Sequence, residues 1–254
     1  MFKRFGLGIT SYFEAHRLVV KHKLWGYMLI PGIINVILFT LFIWGVFTFA
    51  SFMASLVLDM LGLTASSDGF LGVLKDIIYV VVSLLVKISL LLIYYSVYKY
   101  IILILLSPIL GMLSERTERI LTGKDFDTSP LQFVKDFVRG LKLTLRNFLI
   151  EITCTIIAYL LVFIPIVNLF IPLVLFFISS YFMGFSMIDY TNERHKLSIP
   201  QSLQFMRNNK GAAIGTGFIF NLLFLIPFVG WLIAPGYSVI AATITTHKIK
   251  NNLV

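Results

Sequence analysis

Long, unbroken apolar runs constrain this chain more than any other feature. Residues 27–60 contain a single charge, Asp59, and residues 70–106 carry only Lys75, Asp76, Lys87 and Lys99. At 1.5 Å per residue the first run would reach about 50 Å as a helix, against a hydrocarbon core of about 30 Å. The runs are continuous and do not alternate apolar with polar, so they exclude a membrane β-barrel. With 58% apolar residues and only 13% charged, the reading is an all-α integral membrane protein.

Two further apolar regions, 148–188 and 212–246, are interrupted without charge. The first break is Phe163-Ile-Pro-Ile-Val-Asn-Leu-Phe-Ile-Pro172, and a near copy is Leu225-Ile-Pro-Phe-Val-Gly-Trp-Leu-Ile-Ala-Pro235. Arms 148–163 and 212–226 would reach only about 24 Å as helices, short of the core. They are expected to form two re-entrant or partly spanning hairpins. Leu131-Gln-Phe133 and Leu203-Gln-Phe205 precede the two copies, so the repeat is basic helix, arm, break, arm. Interrupted repeats are a recurring transporter design with the path at the breaks, which makes Pro165, Asn168, Pro227 and Gly230 pathway candidates. Broken backbone needs cover within a membrane, and assembly into a homo-oligomer would supply it. The run Gly211-Ala-Ala-Ile-Gly215-Thr-Gly217 offers either a small-residue packing face or a flexible loop.

The net charge of +9 is informative through its placement. Basic residues cluster at Lys3–Lys23, Arg116–Arg146, Arg194–Lys210 and Lys248–Lys250, while Leu61–Phe70 holds only Asp68. The positive-inside rule puts the four clusters, and with them both termini, on the cytoplasmic side. This distribution argues against nucleic acid as a partner and for membrane lipids. The order expected is one membrane domain, 1–254: an amphipathic helix at 1–24, long transmembrane helices at 27–60 and 70–106, cytoplasmic amphipathic helices over 108–146, and hairpins at 148–188 and 212–246. Residues 5–20, interrupted by Glu14 and Arg17, do not read as a cleavable signal.

Within 1–24, Phe2, Phe5, Ile9, Tyr12, Phe13 and Val20 recur at helical spacing, as in a helix lying in the membrane interface; an ordinary packed helix is the alternative. Ser107-Pro108 reads as a new helix start and Gly123 as its stop, with Glu115 and Glu118 between them. Thr128-Ser129-Pro130 opens a helix on which Lys135, Arg139, Lys142 and Arg146 fall within about 60° of arc. That surface stripe would anchor headgroups or draw anions to a pore mouth. Lys87 is either a pathway residue or a snorkelling one.

No catalytic set emerges. His16, His22, His195 and His247 are scattered, Cys154 is the single cysteine, and no phosphate-binding loop, dinucleotide motif or nucleophile elbow occurs. No enzyme activity, cofactor or metal is expected, nor ATP hydrolysis within the chain.

The order of elements resembles the CysZ-type sulfate permease family, related to the etoposide-induced membrane proteins. The resemblance runs from about Tyr12 to Lys250. It rests on Leu29-Ile-Pro31 with Asn35, and on Ser107-Pro-Ile-Leu-Gly111 leading through Glu115 and Glu118 to Leu121-Thr-Gly123. Phe163-Ile-Pro165, Asp189-Tyr190 with His195-Lys196, and Ile226-Pro227 with Pro235 complete it. It implies two long transmembrane helices plus two partly penetrating hairpins, oligomers, and sulfate uptake for cysteine biosynthesis across a bacterial inner membrane. The family's Gly-hydrophobic-Arg-Arg motif corresponds here to Lys23-Leu24-Trp25-Gly26, which has neither arginine. Lys21, His22 and Lys23, with Trp25 and Gly26, are the candidate anion-binding residues. The expectation is an ATP-independent permease for sulfate or a related small anion; the alternative is a non-transporting protein that organises lipid or partner proteins.

Overall fold

A computed structural model of the chain describes residues 1–61, 69–124, 130–160, 165–226 and 229–252. The loop around Asp68, Thr128-Ser129, Phe163-Ile164 and Pro227 lie outside the described residues. The helices are α1 (Phe2–Lys21), α2 (Trp25–Met60), α3 (Phe70–Thr122), α4 (Pro130–Leu160), α5 (Pro165–Arg194), α6 (Ile199–Asn208), α7 (Lys210–Phe224) and α8 (Val229–Lys250). There is no strand among the described residues. Among the described residues three helical stretches are long and apolar enough to cross a membrane: Trp25–Met60, Leu169–Arg194 and Val229–Lys250.

The chain forms two units, residues 34–101 and residues 1–33 with 102–254. In the first, Val46, Ala50, Ala54 and Leu58 are buried at steps of four, one ridge of a helix. Trp44, Phe47, Phe49 and Phe52 remain exposed, a surface that water would penalise and acyl chains accommodate.

The second unit is built around α7. Gly184 of α5 and Gly217 of α7 lie so close to the Ala213 and Ser180 carbonyls that a methyl group at either would collide with backbone. α1 lies on α7 in the same manner, with Gly8, Gly211 and Gly215 at the contact. The run Gly211–Gly217 is thus a packing face of a helix and not a loop, and it is used within the chain. Tyr12 crosses this junction, its hydroxyl 2.7 Å from the Thr216 carbonyl and 2.6 Å from Ser238 Oγ on α8.

Four expectations are revised. The buried face of α1 is Gly8, Ser11, Tyr12, Ala15 and Val19, while Phe2, Phe13 and Val20 point outward. Small residues win the contact because only they permit close approach to the α7 backbone. No helix boundary falls at Ser107-Pro108, since α3 runs through it to Thr122. Proline cannot donate to the carbonyl four residues back, but the Ser107 hydroxyl donates to that carbonyl, Ile104, at 2.9 Å. The basic helix after Pro130 and the first hairpin arm are one helix, α4, whereas the second copy is divided at Asn209, whose side chain bonds back to the Phe205 carbonyl at 2.8 Å. Finally, the breaks are shorter than they read. α5 takes up at Pro165 and contains Asn168 and Pro172; α8 takes up at Val229 and contains Gly230 and Pro235. A proline at a helix start loses no hydrogen bond.

Other signals behave as read. α3 stops at Gly123, which adopts φ +69° and whose N–H reaches the Arg119 carbonyl at 2.8 Å. Pro130 opens α4.

Candidate functional site

The turn between α1 and α2 gathers the candidate anion residues. Lys21 closes α1, His22 caps it, and Lys23 turns the chain with φ +53°. Leu24 is the buried plug of the turn, and its carbonyl accepts the Tyr27 N–H at 3.1 Å. Lys21, His22, Lys23, Trp25 and Gly26 are all exposed. The Trp25 ring meets Tyr237 edge-on at 6.4 Å, and the Tyr237 hydroxyl is 2.9 Å from His16 Nδ1. Three basic residues therefore closely precede the N-terminus of a long helix, where unpaired backbone N–H groups and the helix dipole favour negative charge.

A second polar centre is buried where α3, α4, α5 and α8 meet. Arg139 of α4 grips Asp189 of α5 with two nitrogens, at 2.8 and 3.1 Å, and donates its Nε–H to the Leu197 carbonyl at 3.0 Å. Ser202 donates to the same carboxylate. Arg194 of α5 donates its Nε–H to Glu118 of α3 at 2.8 Å and another N–H to Ser114 Oγ at 2.8 Å. Ser114 in turn lies 2.8 Å from the Thr243 hydroxyl of α8. His195 Nε2 is 2.7 Å from the other Glu118 oxygen. The Asp189 and Glu118 side chains are each only 4% exposed. Burial alone would raise the Glu118 pKa, but His195 and Arg194 beside it hold it below the usual glutamate value.

Beside this centre lies a cavity of about 220 Å³ between α3, α4 and α5. Its polar lining includes Glu115, Asp189, Glu193 and Arg194, and its walls include Pro108, Gly111 and Gly140. Glu115 and Arg119 pair across one helical turn at 3.4 Å. Among the described residues no three His, Cys, Asp or Glu side chains converge to hold a metal.

Two candidates are thus brought together, Glu115 and Glu118, and Arg139 joins them from a group to which sequence had assigned another role. Arg139 is no surface residue: its side chain is 15% exposed because that face of α4 turns onto Asp189 and Glu193. The stripe keeps Lys135 and Lys142, which are exposed; Arg146 is half-buried and bonds Asn147 Oδ1 at 3.2 Å. Lys87 places its ammonium 4.7 Å from the centre of the Phe47 ring, a cation–π contact that suits a cation in apolar surroundings. Gly230 is pressed against the Leu223 carbonyl at the α7–α8 corner, which the Trp231 Nε1–H bond to the Phe224 carbonyl (3.0 Å) also fastens. Pro165 and Asn168 lie in the first turn of α5.

Sequence reasoning missed Asp189, Glu193, Arg194 and His195 as one site with Glu118. The available signal was four ionisable residues within seven positions at the end of an apolar run, on a helix whose facing partners could not be known.

Comparison with known proteins bears on the whole chain. Residues 11–235 match the sequence profile described as Sulfate transporter CysZ/Etoposide-induced protein 2.4. The chain is 28% identical over 234 residues to a protein named Sulfate transporter CysZ from Pseudomonas paraeruginosa, covering 91% of this chain and 90% of that one. It is 25% identical over 230 residues to the protein of that name from Pectobacterium atrosepticum, covering 90% and 80%. A helical integral membrane chain matched over nearly its full length in this way belongs to the Sulfate transporter CysZ/Etoposide-induced protein 2.4 family.

Proposed function

We propose that the protein is a membrane permease for sulfate or a closely related small anion, operating without ATP and not as an enzyme. The observation that carries the reading is likeness across about nine-tenths of both chains to proteins named sulfate transporter CysZ. Anions would be collected at the α1–α2 turn, where Lys21, His22 and Lys23 add positive charge to the N-terminus of α2. Lysine there supplies a point charge in place of the planar fork of arginine, so recognition would rely more on field and backbone N–H groups. The path would then follow the hairpin tips, Pro165–Asn168 and Pro227–Gly230, past the cavity lined by Glu115 and the buried Glu118 beside it.

This reading places one membrane domain in a bacterial inner membrane, with both termini cytoplasmic and the chain in a homo-oligomer. α2 and the 70–106 part of α3 would span, and the two hairpins would insert partway. Burial supports partial insertion. On α5 the large exposed apolar residues stop at Phe177, and the second half carries Asp189, Glu193 and Arg194. A charge-bearing half-helix is costly within hydrocarbon.

The test is uptake of labelled sulfate by vesicles containing only this protein and lipid. Uptake down a sulfate gradient without ATP is expected. Replacing Lys21, His22 and Lys23 together by Gln should reduce it several-fold at low salt, with a smaller effect at high salt, where screening already weakens the attraction. Uptake equal to that of empty vesicles would remove the sulfate assignment. The exposed Lys135 and Lys142 favour the second reading, a protein that organises lipid or partners, and absence of anion conductance together with lipid binding that needs those lysines would establish it.

A further inference from the structure

The corner between α6 and α7 carries a feature that anion transport leaves unused. Arg207, near the end of α6, and Lys210, the first residue of α7, border two adjoining hollows. One is a cup of about 410 Å³ that also takes in Lys3 and Arg4, and no carboxylate is among its lining residues. The other is a groove of about 670 Å³ along α5, walled by Leu173, Val174, Phe177, Phe182 and Cys154. Arg207, Lys210, Lys3 and Arg4 are all exposed, and none forms a salt bridge to a carboxylate among the described residues. Arg4 donates to the Asn208 carbonyl at 2.6 Å. That bond fastens the start of α1 to the end of α6, so cations from three helices, α1, α6 and α7, border one cup.

Four like charges around one hollow repel each other unless an anion joins them, and guanidinium and ammonium groups together suit a phosphate. The groove restricts the choice further. A free inorganic anion has no use for an apolar trough, whereas an acyl chain does. From Tyr181 back to Leu173 the trough follows about 12 Å of helix, beginning at the basic residues and ending among the exposed Leu173 and Val174. We propose that cup and groove together bind one anionic phospholipid. Its phosphate would lie against Arg207 and Lys210, backed by Lys3 and Arg4, with an acyl chain along α5. The site would fix α1, α6 and α7 at the membrane surface.

Native mass spectrometry of the purified full chain in detergent tests this, using phosphatidylglycerol and phosphatidylcholine with identical acyl chains. One phosphatidylglycerol per chain should be retained at a lipid concentration at least tenfold below that needed for phosphatidylcholine. The R207Q/K210Q variant should lose that preference, the charge-conserving R207K/K210R variant should keep it, and Val174→Trp, which fills the groove, should weaken retention several-fold. Inorganic phosphate at millimolar concentration should not displace the lipid. Equal retention of the two lipids by the unmodified chain overturns the proposal, whatever the variants do. So does phosphatidylglycerol retention that survives R207Q/K210Q. Displacement by phosphate together with indifference to Val174→Trp would make the cup a free-anion site and also overturn it. Lipid retention is read without sulfate, so its outcome is separate from that of the uptake assay.

Discussion

Arg139 and Lys135 share one face of α4 by helical spacing, yet they have opposite surroundings. Lys135 is exposed, and Lys135→Gln should change unfolding stability by no more than about 0.5 kcal/mol. Arg139→Gln would leave Asp189 buried without its partner, and should cost about 3–5 kcal/mol in denaturant titrations of the detergent-solubilised protein. Comparable midpoints for the two variants would show that the Arg139–Asp189 pair is not a structural tie. Glu118 adds a pH dependence whose sign follows from its depressed pKa. Its contribution is complete above the ordinary glutamate value of about 4.3 and is lost as pH falls through the lower, folded-state value. Melting temperature should therefore drop on acidification below that range, and the drop should be smaller in Glu118→Gln. The cations were legible as a stripe from spacing alone. Which of them meets a carboxylate depends on α5, and no sequence interval between residues 139 and 189 encodes that meeting.

Helices were legible wherever the signal is local. The Gly123 stop and the Pro130 start hold because a left-handed residue and a missing N–H act on their own turn of backbone. Ser107-Pro108 misled because the same two residues that can open a helix can also lie inside one when the serine hydroxyl satisfies the carbonyl that proline leaves free. The glycine run in α7 shows the reverse. Its small residues were visible, but whether they formed a packing face or a flexible loop was open until α5 and α1 were seen against them. Gly217→Leu should be strongly disruptive, since its side chain would meet the Ser180 carbonyl and backbone would have to move. A loss exceeding about 3 kcal/mol, beyond ordinary overpacking, is expected in thermal unfolding. Gly6→Ala, with open space at its Cβ, should be near neutral. If both variants melted alike, the close α5–α7 crossing would be wrong.

At the scale of the molecule, the issue is how far the hairpins enter the bilayer. The returning stretches Leu169–Arg194 and Val229–Lys250 have 26 and 22 residues, enough by length to cross, whereas α7 has only 15 and reaches about 22 Å. In the proposed arrangement the shorter arm would set the depth of the second tip. In a Cys154→Ser background, Val229→Cys should resist a membrane-impermeant maleimide applied from either side. In the proposed orientation, labelling from the periplasmic side would mean that the hairpin spans, and the partly inserted arrangement would have to be abandoned.

The two charge-free breaks were the clearest irregularity in the sequence, and α5 and α8 take up within them, at Pro165 and Val229. Sequence alone determined the apolar helices, the cationic clusters and the repeat, because hydropathy, charge and helix-stop chemistry act over a few residues. Tertiary structure decided that Pro172 and Pro235 lie inside helices, that Gly8, Ser11, Tyr12, Ala15 and Val19 and not Phe2 or Phe13 form the buried face of α1, and that Glu118, Arg139, Asp189 and Arg194 share one buried centre. Those outcomes depend on which backbone surfaces can approach most closely and on which opposite charges then become neighbours, and both are properties of the packed chain.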